Sequence, residues 1–231
     1  MSEIPAHIAR IREQIAAACR RTDRDPDEVR LIAVSKVKPA ELIEEAYRSG
    51  QQLFGESYVQ EFRDKAPRVQ APVTWHFIGG LQTNKVKYLR GRVAMIHSVD
   101  RLPLAEEIDR QWGKIDRAVD ILLQVNVGDE ESKSGCAPQE LPELAAAVVR
   151  LEHVRIRGLM CLPPYSDNPA EVRPYFRQLR ELASRVEALH IPGVDMRELS
   201  MGMSGDFEVA IEEGATLVRI GTAIFGERQR R

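Results

Sequence analysis

Eight short apolar runs recur along the chain, and longer amphipathic segments separate them. Each run is rich in Val, Ile, Leu or aromatic residues and ends near Gly, Pro, Ser or Asp, as buried strands do. The runs are VRLIAVSK (29–36), QQLFG (51–55), VTWHFIGG (73–80), VAMIHSVD (93–100), VDILLQVNV (119–127), VRIRGLMCL (154–162), MRELSMGM (196–203) and TLVRIGTAIFG (216–226). Strands that alternate with helices in this way are parallel and are joined by right-handed crossovers.

Eight strand–helix units in a chain of 231 residues predict an α/β fold, a (β/α)8 or TIM barrel, rather than an open doubly wound sheet. A helical pattern before the first run predicts an extra N-terminal helix. The run QQLFG is the weakest strand, and its loss would favour the open sheet. No Ser/Gly-rich or charge-block linker interrupts the chain, so we expect residues 1–231 to form a single domain.

Composition excludes several classes of protein. Lys and Arg number 33 and Asp and Glu number 35, and the net charge of −2 favours neither nucleic acid nor an anionic membrane. Three scattered cysteines fit a reducing compartment, and they fit neither a disulfide framework nor a zinc site. No stretch approaches the roughly 18 apolar residues of a membrane span, and the N-terminus does not resemble a signal peptide. We expect a cytoplasmic protein and a monomer.

The first apolar run ends in a charged residue, Lys36. In a barrel the functional site lies at the C-terminal ends of the strands, which is where Lys36 is expected. Two interpretations are open from the residue alone. The side chain extends to the rim and keeps its ammonium in water, or its amine is desolvated and forms Schiff bases with carbonyl compounds. Lys38 adjoins Pro39, and we expect it to be exposed.

Two further polar residues lie within apolar runs. Arg219 stands between Val218 and Ile220, and a buried arginine needs a partner because it cannot lose its charge. It either forms an ion pair inside the barrel or points at a ligand in the barrel mouth. His76 in the third run is either a hydrogen-bonded core histidine or a pocket residue.

Small residues follow the last two strands. They are Ser200, Gly202, Ser204 and Gly205 before the helical pattern DFEVAIEEG, and Gly221 and Thr222 in the last run. Ser204 is a suitable N-cap for that helix, and the loops after strands seven and eight of barrels often bind phosphate. A lysine, an arginine and two such loops could hold a ligand with an aldehyde at one end and a phosphate at the other. Pyridoxal 5'-phosphate is a candidate.

Several stretches, in order between about residues 29 and 227, carry a family resemblance. They are LIAVSKVKP, FGESYVQE, WHFIGGLQTNK, HSVD, QVNVGDEESKSG, GLM and LSMGMSGDFEVAIEEGATLVRIGTAIFG. With them the chain resembles the pyridoxal-phosphate homeostasis protein family. The resemblance implies a (β/α)8 barrel similar to the N-terminal domain of alanine racemase, a fold-type III enzyme, with pyridoxal phosphate as its cofactor.

The resemblance also implies roles for individual residues. Lys36 would carry the cofactor as an internal aldimine, and Arg219 would lie near the pyridine nitrogen. Ser200, Gly221 and Thr222 would hold the phosphate, Met203 and Ser204 would lend backbone amides, and His76 and Met160 would line the pocket. Ser57 occupies a cofactor-binding position at which the family usually has asparagine, and serine lacks that amide.

The function implied is that of a non-catalytic carrier, which holds pyridoxal phosphate, buffers it and supplies it to apo forms of pyridoxal-phosphate enzymes. Arg219, unlike a carboxylate, does not stabilise a protonated ring nitrogen, so the ring is a poorer sink for carbanions. Related racemases add a second domain with a catalytic tyrosine, for which no residues remain after Arg231. The alternatives are an amino-acid racemase or related fold-type III enzyme, and a cofactor-free barrel in which Lys36 forms a Schiff base with a sugar phosphate.

Overall fold

The eight apolar runs form a closed barrel of parallel strands in the computed structural model, which describes residues 3–128 and 134–227. The strands are β1 (Arg30–Val34), β2 (Leu53–Glu56), β3 (Thr74–Phe77), β4 (Met95–Val99), β5 (Val119–Gln124), β6 (Val154–Met160), β7 (Glu198–Ser200) and β8 (Leu217–Ile220). Each strand pairs with the next, and β8 closes on β1 with Ile32 opposite Arg219. The predicted (β/α)8 barrel is confirmed, and QQLFG does supply its second strand.

Helices surround the barrel and follow the strands in sequence. The α-helices are α1 (Ile4–Arg20), α2 (Ala40–Arg48), α3 (Val59–Lys65), α4 (Leu102–Gly113), α5 (Leu141–Val148), α6 (Pro169–Glu187), α7 (Phe207–Glu212) and α8 (Thr222–Phe225). Short 3₁₀ helices lie at Pro26–Glu28, Ala66–Arg68 and Thr83–Tyr88, and the last of these connects β3 to β4. Within the described ranges, no helix is both long enough and apolar enough to cross a bilayer.

The last apolar run, 216–226, contains a helix as well as a strand. Because β8 ends at Ile220 and α8 starts at Thr222, the prediction of one strand over this run is wrong in its second half. Ile224 and Phe225 are buried in α8, which packs against α1. A buried helical turn is as apolar as a buried strand, so hydrophobicity alone does not separate the two.

The helix α1 is the expected N-terminal helix. Its buried residues recur at three- and four-residue spacing, which is the apolar stripe of an amphipathic helix. It packs against α2, α7 and α8. Just beyond it, Arg24 Nη1 donates to the carbonyl oxygens of Ile211 and Ala215 at 2.8 and 3.0 Å, which satisfies acceptors around the end of α7.

Apolar side chains form two groups, one inside the barrel and a larger one between the barrel and its helices. The inner group contains Ile32, Met95, Leu122, Met160 and Leu217. Successive residues of a strand point to opposite faces. His76 therefore faces inward, while Trp75 and Phe77 belong to the outer group. Arg219 shares the parity of Leu217, so it also faces the interior.

Candidate functional site

A cavity of about 660 Å³ opens at the carboxyl ends of the strands. Its volume suits a cofactor-sized ligand, and the active sites of (β/α)8 barrels lie at this end. Most of the predicted site residues line it, namely Lys36, Ser57, Met203, Ser204, Arg219, Gly221 and Thr222. Ser200, His76 and Met160 do not, since all three are buried within the barrel.

A second cavity, of about 420 Å³, lies at the amino ends of β1 and β2. Two of its polar side chains, those of Arg30 and Gln51, have protein partners. Arg30 pairs with Glu198 at 2.5 Å, and Gln51 Nε2 donates to the carbonyl oxygens of Leu31 and Leu53 at 2.7 and 2.6 Å. Residues at this end of such barrels serve stability, so we place the functional site in the larger cavity.

Lys36 lies in a turn immediately after β1 and not within the strand. The strand ends at Val34, and the turn is closed by a hydrogen bond from the Lys38 N–H to the Ser35 carbonyl at 3.0 Å. Lys36 is half-buried in the cavity wall. Both interpretations of this lysine, an ammonium kept in water at the rim and a desolvated amine that forms Schiff bases, therefore stay predictions.

Lys38, two residues further along the chain, has a structural role. Its Nζ donates to the carbonyl oxygens of Phe225, Gly226 and Glu227 at 2.8, 3.1 and 3.1 Å. These carbonyls lie at and beyond the end of α8, where a helix leaves acceptors unpaired. Lys38 is therefore half-buried, and the expectation that it is exposed is wrong.

Arg219 is 4% exposed and has neutral partners. Its Nη1 donates to Ser200 Oγ at 2.6 Å, and its Nη2 donates to the Cys161 carbonyl at 2.9 Å. No carboxylate in the described part of the chain forms an ion pair with it. Burial lowers the pKa of Arg219, yet a guanidinium stays charged in proteins. The cavity wall thus holds a buried cation with no direct ion pair among the described residues, while the Asp206 carboxylate on the same wall attracts it at longer range.

A chain of hydrogen bonds runs from Arg219 across the barrel interior. Ser200 Oγ lies 2.9 Å from His97 Nδ1, and His97 Nε2 lies 2.9 Å from His76 Nδ1. Burial lowers the pKa of His76 to about 3 and lowers the pKa of His97 well below its usual value, so both rings are neutral. Arg219 can only donate. Ser200 therefore accepts from Arg219, while the directions of its bond to His97 and of the bond between the two histidines depend on the ring tautomers.

Ser200 lies in the middle of this chain. Its hydroxyl is fully buried and is bonded to Arg219 and to His97. The phosphate contact that the resemblance implies for Ser200 stays a prediction. His97 is not among the predicted site residues, and its inward parity in β4 is the sequence signal that could have identified it. Met160 belongs to the inner apolar group beneath the cavity.

The loop after β7 differs from its predicted form at Ser204. The helix α7 begins at Phe207 with Asp206 as its N-cap residue, so Ser204 is not the N-cap. Asp206 makes no side-chain cap bond to α7; its carboxylate reaches back and accepts from the Met203 N–H at 2.5 Å. That contact also occupies the Met203 amide. Ser204 and Gly205 remain on the cavity wall, and Gly205 has open space where a side chain would begin.

The loop after β8 brings Gly221 and Thr222 to the same wall. A Cβ atom at position 221 would lie 3.2 Å from the Val34 carbonyl oxygen, so glycine permits the close approach of this loop to β1. Thr222 is exposed and opens α8. The first amides of a helix have no partner inside it. The loop therefore places a glycine and a hydroxyl-bearing residue on the cavity wall.

The remaining polar groups of the wall include Ser57 and two tyrosines, Tyr58 and Tyr165. Ser57 packs directly against Gly79, where a Cβ atom would come within 2.1 Å of the Ser57 carbonyl oxygen. Tyr165 is 87% exposed and donates its hydroxyl to Asp167 at 2.5 Å, and this hydrogen bond raises the pKa of Tyr165. Across residues 3–128 and 134–227, no group of three or more His, Cys, Asp or Glu side chains could hold a metal ion.

Comparisons with known proteins agree with this architecture. Residues 6–229 match the model of the alanine racemase N-terminal domain family. The pyridoxal phosphate homeostasis protein of Aquifex aeolicus is 49% identical over 223 residues, which are 96% of this chain and 97% of that protein. An unknown protein from Bifidobacterium adolescentis superposes with a TM-score of 0.91 at 36% identity, over 96% of this chain and 94% of that one. PipY of Synechococcus elongatus, solved with PLP bound, superposes with a TM-score of 0.79 at 40% identity, over 94% of this chain and all of PipY. The chain therefore belongs to the alanine racemase N-terminal domain family and, within it, to the pyridoxal phosphate homeostasis proteins.

Proposed function

We propose that this protein binds pyridoxal 5'-phosphate and serves its homeostasis inside the cell, holding the cofactor and supplying it to apo-enzymes. The observation that carries the proposal is the meeting of Lys36, Arg219 and two small-residue loops on the wall of one cavity. The names of its relatives, and the PLP bound to PipY, support the same ligand.

The residues on the wall fit this cofactor. Pyridoxal phosphate supplies an aldehyde that captures primary amines and a ring that withdraws electrons. Lys36, on the cavity wall, would supply the primary amine that captures this aldehyde. Arg219 would face the ring nitrogen with N–H groups not used by Ser200 and Cys161. Because the guanidinium cannot give up a proton, it would leave the ring nitrogen unprotonated and the ring a weak electron acceptor.

We assign the phosphate group to the loops after β7 and β8. We therefore expect Thr222→Ala to weaken binding of pyridoxal phosphate. Loss of one charge-assisted hydrogen bond costs roughly 1.5–3 kcal/mol, or about 10- to 150-fold in Kd. Thr222→Ser keeps the hydroxyl and is the matched control. Titrations of each variant with pyridoxal phosphate and with pyridoxal make the measurement. A Thr222→Ala variant that loses equal affinity for both ligands would show that the hydroxyl does not bind the phosphate.

We expect no appreciable racemisation of amino acids by the loaded protein. Racemisation needs an acid/base group on each face of the reacting carbon. Lys36 would supply one. Both tyrosines on the cavity wall are exposed, Tyr58 at 50% and Tyr165 at 87%, and the Tyr165 hydroxyl is bonded to Asp167, so neither is held in place as the second group. A missing acid/base group costs about 10²–10⁴ in rate.

Chiral chromatography after incubation with single enantiomers of alanine and other amino acids measures this turnover. Racemisation at ordinary enzyme rates, about 1–10³ s⁻¹, would establish the alternative, an amino-acid racemase or related enzyme. Recovery of activity by an apo-enzyme mixed with the loaded protein measures the supply of cofactor.

The setting we propose is cytoplasmic, with the chain acting as one domain and as a monomer. All three cysteines are buried and free. Burial raises the pKa of Cys136 and of Cys161 to about 12, so neither thiol is reactive. This use of cysteine suits a reducing compartment. The recipients we propose are apo forms of pyridoxal-phosphate enzymes.

A further inference from the structure

The turn that carries Lys36 contains a residue in a disfavoured conformation. Val37 has a φ of +62°, and a β-branched residue in the left-handed region is a genuine outlier. Such a conformation persists only where the surroundings enforce it, and it occurs preferentially at functional sites. Val37 is 56% exposed, so packing of its own side chain does not supply the constraint.

A carboxylate on α3 holds the backbone of this residue. Glu61 Oε1 accepts from the Val37 N–H at 2.6 Å. The same oxygen accepts from Lys65 Nζ, one helical turn further along α3. Lys65 therefore holds the Glu61 carboxylate in the position from which it accepts the Val37 N–H.

Lys65 also forms a hydrogen bond with Ser35, the residue before Lys36. It is 8% exposed and donates to the Ser35 carbonyl at 2.7 Å and to Glu56 Oε1 at 2.8 Å. Glu56 is fully buried, and its Oε1 also accepts from the Ser35 hydroxyl at 2.7 Å. The cluster of Glu56, Glu61 and Lys65 thus bonds the backbone on both sides of Lys36.

Stability alone does not explain this cluster. A buried ion pair often contributes less to stability than apolar residues of the same volume. The free-energy cost of burying these charges is larger here, because the buried Glu56 Oε2 has no hydrogen-bond partner among the described residues. None of the three charged side chains lines the ligand cavity, so they act through the turn.

We infer that Glu61 and Lys65 are positioning residues, which hold the turn from Ser35 to Lys38 in its left-handed form and thereby keep Lys36 on the cavity wall. The inference rests on the proposed function in one respect, that Lys36 is the amine to which pyridoxal phosphate attaches. Lys38 anchors the far end of the turn to the segment after α8. The turn that carries Lys36 is thus held by hydrogen bonds at Ser35, at Val37 and at Lys38.

Glu61→Ala in the full-length protein tests the inference by two measurements. Without ligand, hydrogen exchange at the Val37 and Lys38 amides is expected to accelerate by about 10- to 150-fold, the equilibrium change that follows loss of one charge-assisted hydrogen bond. With pyridoxal phosphate, the rate of covalent attachment, followed by visible absorbance, is expected to fall. Asp64→Ala removes an exposed carboxylate from the same helix and should leave both quantities unchanged.

Val37→Gly provides the rescue, because glycine adopts positive φ without a steric cost. In the Glu61→Ala background it is expected to restore much of the attachment rate. If the single variant does not fold, Glu61→Gln keeps an acceptor oxygen without the charge and should change the same two quantities in the same direction by less. Wild-type exchange and attachment in the folded Glu61 variants would overturn the inference. Should the wild type fail to attach the cofactor at all, the proposed function fails, while the exchange data still decide the role of Glu61.

Discussion

Replacing Lys36 with alanine is expected to abolish the covalent attachment of pyridoxal phosphate and, with it, the visible absorption band of the loaded protein. Among the described lysines, Lys36 alone lines the ligand cavity. Lys38 and Lys65 each donate to three acceptors of the protein, so their amines are already committed. Lys85 lies beside the ring of Tyr88, outside the cavity. No neighbouring amine is therefore placed to take over.

Mass spectrometry of the borohydride-reduced protein checks this expectation. Reduction fixes the carbon–nitrogen bond, so the wild-type peptide that contains Lys36 should gain the mass of the reduced cofactor. Lys36→Arg keeps the positive charge without a reactive amine and separates charge from covalent chemistry. Label on Lys38, on Lys85 or on Lys133, which lies outside the described residues, would contradict the assignment. A visible band that survives in Lys36→Ala would do so as well.

The fold was predictable because burial on both faces leaves a strong signal in a strand. The run LIAV in β1 has no polar position, which is typical of parallel strands covered by helices. The limits of the strands were less predictable. Hydrophobicity gives no information on where hydrogen bonding ends, so Lys36 was placed within a strand that stops at Val34, and α8 was assigned to a strand.

The charged residues of the site were predictable, because burying a charge costs free energy. Lys36 and Arg219 stand out because each charge follows or interrupts an apolar run. Contacts between distant residues leave no such signal. Ser200 meets His97 across 103 residues of sequence, and Lys65 meets Ser35 across 30. For that reason neither the histidine chain nor the Glu56–Glu61–Lys65 cluster could be read from spacing. The N-cap of α7 was misassigned because Ser204 and Asp206 are both good caps, and only the backbone geometry selects between them.

Arg219→Glu is expected to destabilise the protein strongly as well as to weaken cofactor binding. The new carboxylate would be buried, and it would face the Cys161 carbonyl, which is an acceptor and cannot donate to it. An uncompensated buried charge costs about 3–5 kcal/mol. For a domain of this size, each kcal/mol lowers Tm by about 2–4 °C. Thermal unfolding without ligand should therefore show a Tm lower by roughly 6–20 °C.

Arg219→Lys separates the charge of the arginine from its geometry. Lysine keeps the cation, but a single ammonium cannot reproduce the planar fork that spans the Ser200 hydroxyl and the Cys161 carbonyl. One acceptor is then left unsatisfied, at a cost of about 1–3 kcal/mol, or roughly 2–12 °C in Tm. If Arg219 faces the ring nitrogen as proposed, the loaded lysine variant should also show a shifted visible band. An Arg219→Glu variant with wild-type Tm would mean that the arginine is not a buried cation held by neutral partners. It would also contradict a stabilising role for the hydrogen-bond chain through Ser200 and His97.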